Sequence, residues 1–253
     1  MIHPAEIFSK HERAVLFFSG GKDSLACLLL LEAYWDRLTV VWVNEGAPHP
    51  ETVAYMESIA VRVPNFLVLL GNQPEWIKQH GWPVDVLPVR DSAAGELGAG
   101  QAPIRFQSFM TCCEANLWQP MIDYVAREKP SLLIGGQRRE EALRNRTRDE
   151  ELQLVEEGCE YWQPLNDWTS EQVFEYLRER GEPLPPFYAD GATSSPDCWN
   201  CTAYLDHNAG RLSIMRKQQP QHYAIVEAVL KLLARRLHEE TAPMFKLLGE
   251  TNG

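Results

Sequence analysis

No stretch of this chain approaches the roughly 20 consecutive apolar residues that a membrane-spanning helix requires. Its longest apolar runs, around Ala14 to Phe18 and Leu25 to Leu31, read as a buried strand and the first face of a helix. The beginning, Met1-Ile2-His3-Pro4, lacks the basic region followed by an apolar one that marks a secretory leader. Both absences lead to the expectation of a cytoplasmic protein that does not enter a membrane. Positive charge is also scarce: 24 Lys and Arg stand against 35 Asp and Glu, a formal net charge of -11. Such a chain repels a phosphodiester backbone at long range, which argues against a broad, non-specific nucleic-acid surface and leaves only a local basic patch for that partner. Six cysteines in 253 residues are too few and too unevenly placed for a disulfide scaffold. There is no internal repeat, no low-complexity segment and no polar or Gly/Pro-rich stretch long enough to be a linker. The sequence leaves a homodimer open.

What is present is a succession of α and β signals. Arg13 to Ser19 is an apolar strand running into two glycines, and Ser24 to Tyr34 a Leu/Ala-rich helix. Leu38 to Asn44 is almost wholly apolar, as expected for a parallel strand covered on both faces. A helix from Pro50 to Ile59, a strand from Phe66 to Leu70, a helix from about Ala115 to Glu128 and a strand from Leu132 to Gly135 continue the alternation. Thr169 or Ser170 caps a helix through Glu179, and a final helix runs from about Gln221 to Glu240. Gly71 to Gln107 follows no clear pattern. The order predicts an α/β fold, a mostly parallel sheet with helices on both faces, with ligands at the carboxyl ends of its strands.

Three segments fall at those ends: Ser19-Gly20-Gly21-Lys22-Asp23-Ser24, Asn44-Glu45-Gly46 and Gly135-Gly136-Gln137-Arg138. In the first, backbone N–H groups and the positive end of a helix point into one small volume, an arrangement that binds phosphate or pyrophosphate. Gly20 and Gly21 allow close approach, Lys22 neutralises an oxyanion, and Ser19 and Ser24 offer hydroxyls. Asp23 either holds Mg2+ or anchors the turn. The spacing differs from a Walker loop, which has four residues before Gly-Lys-Ser/Thr. The plainer reading is a polar strand-to-helix turn with coincidental residues.

Lys22, Arg138, Arg139, Arg144 and Arg146 form a dense cationic group in an acidic chain, suited to a polyphosphate. Against this, Arg139 to Arg148 interleave with acids as a solvated, ion-paired helix surface would. Cys112-Cys113 and Cys198-Trp199-Asn200-Cys201 together bring four thiols. The set suits tetrahedral zinc, an iron-sulfur cluster, a redox dithiol or simple burial, and the adjacent pair favours the larger cluster over zinc. Cys27 reads as core, and Cys159 has no ligand-like partner in the sequence. His49 reads as a polar loop residue and Trp162, Trp168 and Trp199 as packing.

Across about residues 12 to 205 the chain resembles the phosphoadenosine-phosphosulfate reductase family, whose ATP-pyrophosphatase-type loop corresponds to Ser19 to Ser24. Asn44-Glu45-Gly46 with Pro50-Glu51-Thr52, Gly136-Gln137-Arg138-Arg139 through Arg146, Trp162-Gln163-Pro164-Leu165 and Leu184-Pro185-Pro186-Phe187-Tyr188 correspond to its later motifs. The resemblance implies an adenine nucleotide α-hydrolase-like, Rossmann-like domain over 1–210 with a cluster-binding insert, followed by a helical tail over 211–253. It implies a [4Fe-4S] cluster on Cys112, Cys113, Cys198 and Cys201, and an adenine nucleotide, ATP or a sulfonucleotide, on Ser19 to Ser24, Glu45, Gly136, Arg138, Arg139 and Arg146. Lys22, Asp23 and Arg138 take the catalytic roles, with Mg2+ on the phosphates and a sulfur-donor or electron-donor protein as partner.

No cysteine follows Cys201, whereas family reductases attack sulfur with a cysteine near the C-terminus. Ala142 stands where the family has a serine and Asn44 where it has an acid. The complete Lys22-Asp23-Ser24 ending also resembles the members that activate substrates with ATP. The leading expectation is therefore ATP-dependent adenylylation in sulfur transfer. The alternatives are reduction of adenylyl sulfate or its 3'-phosphorylated form, and a non-catalytic nucleotide sensor or assembly component.

Overall fold

The computed structural model describes residues 2–141, 151–156, 158–189, 191–192 and 198–249. In chain order its elements are α1 (Pro4–Lys10), β1 (Ala14–Phe17), α2 (Lys22–Leu30), β2 (Leu38–Asn44), α3 (Pro50–Arg62), β3 (Phe66–Leu70), α4 (Gln73–His80) and β4 (Trp82–Val84). Then come α5 (Ala93–Ala99), β5 (Phe106–Ser108), α6 (Phe109–Cys113), α7 (Gln119–Glu128), β6 (Leu132–Ile134), β7 (Leu152–Glu156) and β8 (Cys159–Trp162). The chain closes with α8 (Ser170–Glu179), α9 (Pro186–Ala189), α10 (Leu205–Gln218) and α11 (Pro220–Leu248). It divides into two compact units. The first comprises Met1–Asn44, Pro48–Leu70 and Gln119–Pro196, the second Glu45–Ala47, Gly71–Trp118 and Asp197–Gly253.

In the first unit six strands lie in the order β3-β2-β1-β6-β8-β7, all parallel to their neighbours except β7, which runs antiparallel to β8. Side chains alternate across a strand, so both faces must be apolar if both are covered. Ala14, Leu16, Val40, Trp42, Leu132 and Ile134 face one layer, with Leu25, Leu28 and Leu29 of α2, Met56 and Ile59 of α3, and Val173 and Leu177 of α8. Val15, Val41 and Leu133 face the other, where Tyr124 and Val125 of α7 cover them. Each fully buried Leu, Ile or Val contributes roughly 1.5–3 kcal/mol relative to exposure. The mostly parallel sheet flanked by helices is thus as the residue pattern predicts.

The second unit is smaller in regular structure. Its parallel β4–β5 pair carries Val84 and Phe106, which pack with Val229 and Leu233 of α11. Among the described residues no helix is long and apolar enough to cross a membrane.

Several boundaries differ from expectation, for local reasons. The helix after the loop starts at Lys22 and gives way to a 3-10 segment, Glu32–Arg37, instead of reaching Tyr34. The Leu28 carbonyl accepts both the Trp35 indole N–H at 2.8 Å and the Leu31 N–H at 3.2 Å, which tightens the last turn. The helix expected from Ala115 begins as a π segment, Glu114–Trp118. Pro120, with no N–H, breaks the usual bond ladder one turn later. The β7–β8 hairpin escaped the sequence reading because its strands are only five and four residues long. It places β8 beside β6, where Trp162 is wholly buried.

Candidate functional site

The strand order changes direction between β1 and β6, since β2 lies on one side of β1 and β6 on the other. In open α/β sheets that point leaves a crevice beyond the carboxyl ends of the two strands. The loop 18–24 follows β1 and the segment 135–138 follows β6, so the topology itself joins two of the segments singled out in the sequence.

Contacts at atomic distance complete the junction. Lys22 and Arg138 are almost fully buried, at 4% and 6% exposure, and Asp23 binds both. One carboxylate oxygen of Asp23 accepts from Lys22 Nζ at 2.6 Å and the other from Arg138 Nε at 2.7 Å. A second Arg138 nitrogen, Nη1, donates to Glu140 Oε2 at 2.6 Å. Burying a charge is costly unless it is paired and hydrogen-bonded, and Asp23 meets that need for two cations at once. Asp23 thus ties the loop lysine to the arginine that follows β6. Lys22 Nζ also lies 5.6 Å from the centre of the Phe174 ring on α8.

Close backbone approach explains two of the glycines. A Cβ on Gly136 would come within 2.8 Å of the Asp23 carbonyl carbon and the Ser24 nitrogen, so only glycine lets the β6 end lie against the first turn of α2. Gly20 has φ +80°, in the left-handed region, with Met56 Cε against it. The loop serines bond within the loop: Ser24 Oγ donates to the Gly21 carbonyl at 3.0 Å, and Gly21 N–H donates to Ser19 Oγ at 3.4 Å. Beyond β6, Gln137 Oε1 accepts from Tyr161 Oη at 2.9 Å and from Gln163 Nε2 at 3.0 Å, fastening this segment to β8 and its exit.

Lys22 N–H donates to Tyr188 Oη on α9 at 3.0 Å. Tyr188, Phe174 and Glu140 are neighbours of the loop that residue-type reasoning did not select. In the sequence Tyr188 stood only within the Leu184–Tyr188 motif and Glu140 only among the acids interleaved with the arginines. The carboxyl of Glu171, in the first turn of α8, is held below its ordinary range by its own backbone N–H and the Thr169 hydroxyl, with Arg138 and Lys22 contributing as nearby cations.

The other predicted residues are distributed differently. Arg139 is exposed and pairs with Asp167 at 2.9 Å, while its backbone N–H donates to the Asn166 carbonyl at 2.8 Å. Glu45 belongs to the second unit, where its carbonyl accepts from Gln73 N–H at 2.8 Å. Arg144, Arg146 and Ala142 lie outside the described residues.

All four candidate ligand cysteines fall in the second unit. Cys112 ends α6 with Cys113. Its thiol is pushed up to about 12 by burial and, secondarily, by Cys113 beside it. Cys198 and Cys201 form a tight turn closed by Cys201 N–H on the Cys198 carbonyl at 3.0 Å. Arg211 of α10, 7% exposed, spans that turn and donates to the Cys198 and Cys201 carbonyls, each at 2.7 Å. Cys113 Sγ lies 3.9 Å from Tyr204 Oη. By donor chemistry the four thiols fit an iron-sulfur cluster. By placement they are not gathered: among the described residues no group of three or more His, Cys, Asp or Glu stands where it could hold a metal ion. Cys27 is buried in the core, its thiol raised by desolvation, and Cys159 is buried beneath the other face of the sheet. Trp162 and Trp168 belong to the main core, and Trp199 stacks on His222 at 4.0 Å.

The buried Lys22 and Arg138, joined by Asp23 on a glycine-rich turn, stand at the switch point of a parallel sheet and make this the candidate site. Residues 13–204 match the phosphoadenosine phosphosulfate reductase domain, and the chain belongs to that family. It is 30% identical over 183 residues to an adenosine 5'-phosphosulfate reductase of Deinococcus radiodurans, a match covering 69% of this chain and 62% of the relative. It is 31% identical over 215 residues to an adenosine 5'-phosphosulfate reductase of Burkholderia cepacia, covering 82% and 78%. A phosphoadenosine 5'-phosphosulfate reductase of Gloeobacter violaceus is 27% identical, covering 76% and 73%. In fold the chain is similar to a phosphoadenylyl-sulfate reductase from Candida auris, with TM-score 0.52 and 17% identity over 78% of this chain and 88% of that one.

Proposed function

We propose that this protein binds an adenylyl nucleotide bearing a sulfate, and supports transfer of that sulfur to a thiol, in the manner of a sulfonucleotide reductase. The observation that carries the reading is the buried Lys22–Asp23–Arg138 group at the β1/β6 switch point, in a chain whose named relatives are reductases of such nucleotides. The two cations and the N-terminus of α2 bind the phosphate and offset the charge that grows on it as the nucleotide leaves. In this reading the thiol comes from a separate dithiol donor of thioredoxin type. One donor thiolate attacks the sulfate sulfur, the S–O bond breaks and its electron pair departs with AMP, or with the 3'-phosphorylated AMP of the longer substrate. The donor's second thiolate then attacks the first sulfur, releasing sulfite and leaving a donor disulfide. Cys112, Cys113, Cys198 and Cys201 are the residues that would hold a [4Fe-4S] cluster. Such a group, when bound, supplies one-electron chemistry and a local field.

A second reading is favoured by the complete Lys22-Asp23-Ser24 ending. ATP with Mg2+ binds the same loop, an acceptor oxygen attacks the α phosphorus, and pyrophosphate leaves. One comparison separates the two. Sulfite release from adenylyl sulfate with a reduced dithiol donor supports reduction. Pyrophosphate release from ATP supports adenylylation in sulfur transfer, and nucleotide binding with neither product leaves a sensor. Iron and acid-labile sulfide analysis of anaerobically purified protein tests the cluster independently.

A further inference from the structure

We propose that Tyr188 is a competitive latch on the phosphate loop, whose phenol oxygen holds the Lys22 N–H that a nucleotide phosphate oxygen takes over on binding. The inference rests on the phosphate-binding reading of this loop and adds a residue that exchanges places with the ligand.

The first N–H groups of a helix have no partner within it and favour an anion. In α2, Leu25 N–H already bonds the Gly21 carbonyl at 3.0 Å, and Gly21 N–H reaches Ser19 Oγ inside the loop. Lys22 N–H instead takes its acceptor from 166 residues away, the Tyr188 phenol at 3.0 Å. A phosphate lying over the loop, with Lys22 Nζ and Arg138 beside it, needs this amide, and one N–H cannot serve both oxygens at full strength.

The surroundings supply the other half of a two-position device. The Tyr188 ring packs 5.7 Å from the centre of Phe174 and 4.6 Å from that of Phe187, contacts that do not depend on which partner its hydroxyl has. The segment before it is tied to α3 by the Arg62–Glu182 ion pair, which keeps the tyrosine near the loop when its hydroxyl leaves. On the same helix α3, the Tyr55 hydroxyl is buried with no hydrogen-bond partner. Tyr188 is among the groups close enough to act on it. An unsatisfied buried hydroxyl is a standing cost, and it offers the displaced Tyr188 hydroxyl a partner. Phosphate binding and the Tyr188–Lys22 bond therefore exclude each other, and the latch lowers apparent affinity by the fraction of molecules in which it is closed.

The test is calorimetric titration of the full chain with adenylyl sulfate, ATP and inorganic pyrophosphate, wild type against Tyr188→Phe. The phenylalanine keeps the ring contacts and deletes the competing oxygen. Affinity is expected to rise about 2- to 10-fold, the span of one neutral hydrogen bond. Unchanged or weaker binding by the variant overturns the latch, since weaker binding makes Tyr188 a ligand contact. A wild type that binds none of the three probes overturns the phosphate-binding reading along with it. Should the variant fail to fold, nitration of wild-type Tyr188, located by mass spectrometry, decides: saturation with nucleotide is expected to speed it, and protection or no change overturns the proposal.

Discussion

The two units hold their chemistry in opposite ways. In the first, the charged groups are locked together: Asp23 bonds Lys22 and Arg138, and Gly136 allows the two strand ends to meet. In the second, four thiols share a unit and a buried arginine braces one pair, yet among the described residues no three metal-ligating side chains stand where they could hold a metal ion. The difference lies in what positions the groups. Lys22 and Arg138 follow directly from adjacent parallel strands, whose register is fixed by hydrogen bonds and by apolar side chains on both faces. The cysteines sit on a short helix and a turn, where few backbone bonds set the distance between them.

The largest effect is expected from breaking the first unit's lock. Asp23→Ala leaves two buried cations facing each other, and removing one partner of a buried pair costs about 3–5 kcal/mol. Urea unfolding should show that loss, and pyrophosphate should recover part of it by replacing the missing anion. Full stability without added anion would mean that Asp23 does not hold the pair. Next comes Arg138→Met, expected to weaken adenylyl nucleotide binding about 10- to 100-fold, the range for losing a hydrogen bond to a charged group. Arg139→Met should stay within about 2-fold, because an exposed ion pair contributes little. Equal losses at the two positions would erase the distinction between buried and surface arginine.

In the second unit, Arg211→Met removes two charged hydrogen bonds from the Cys198–Cys201 turn, each worth roughly 1.5–3 kcal/mol. Lower stability and faster alkylation of Cys198 are expected. An unaltered alkylation rate would show that the turn stands without its brace. The smallest effect concerns pH. Cys112 is neutral in the fold up to about pH 12, above the ordinary thiol range. Its contribution to stability is therefore complete below the unfolded thiol's pKa and is lost as pH rises from there towards 12. Iodoacetamide should label Cys112 slowly at pH 8 and faster as pH rises; rapid labelling at pH 8 would place the thiol in a different environment. Should a cluster be bound, all four cysteines should resist labelling at either pH.

The sheet was legible because its parallel strands, the buried central ones and the edge strand β3 alike, carry almost no polar residues. The ranges Leu38–Asn44 and Phe66–Leu70 agree to the residue, and the α8 cap at Thr169 has both bonds of a capping box. The segment 71–107 was not, since its β4 and β5 strands are three residues each, too short for any period to show. Within the site, glycines, a lysine and an arginine at strand ends were enough to nominate Lys22, Asp23 and Arg138, whose types already state their chemistry.

The sequence by itself determined the alternation of strands and helices, the loop and the identity of the cationic pair, because each depends on residues near one another along the chain. Tertiary structure alone decided that Asp23 spends its carboxylate on those cations, that Arg139 turns to solvent, and that Arg211 closes over the Cys198–Cys201 turn. It also brought Tyr188, 166 residues along the chain, to the Lys22 amide. Such contacts depend on how sheet order and helix packing fold distant segments together, and no local pattern of residue types records them.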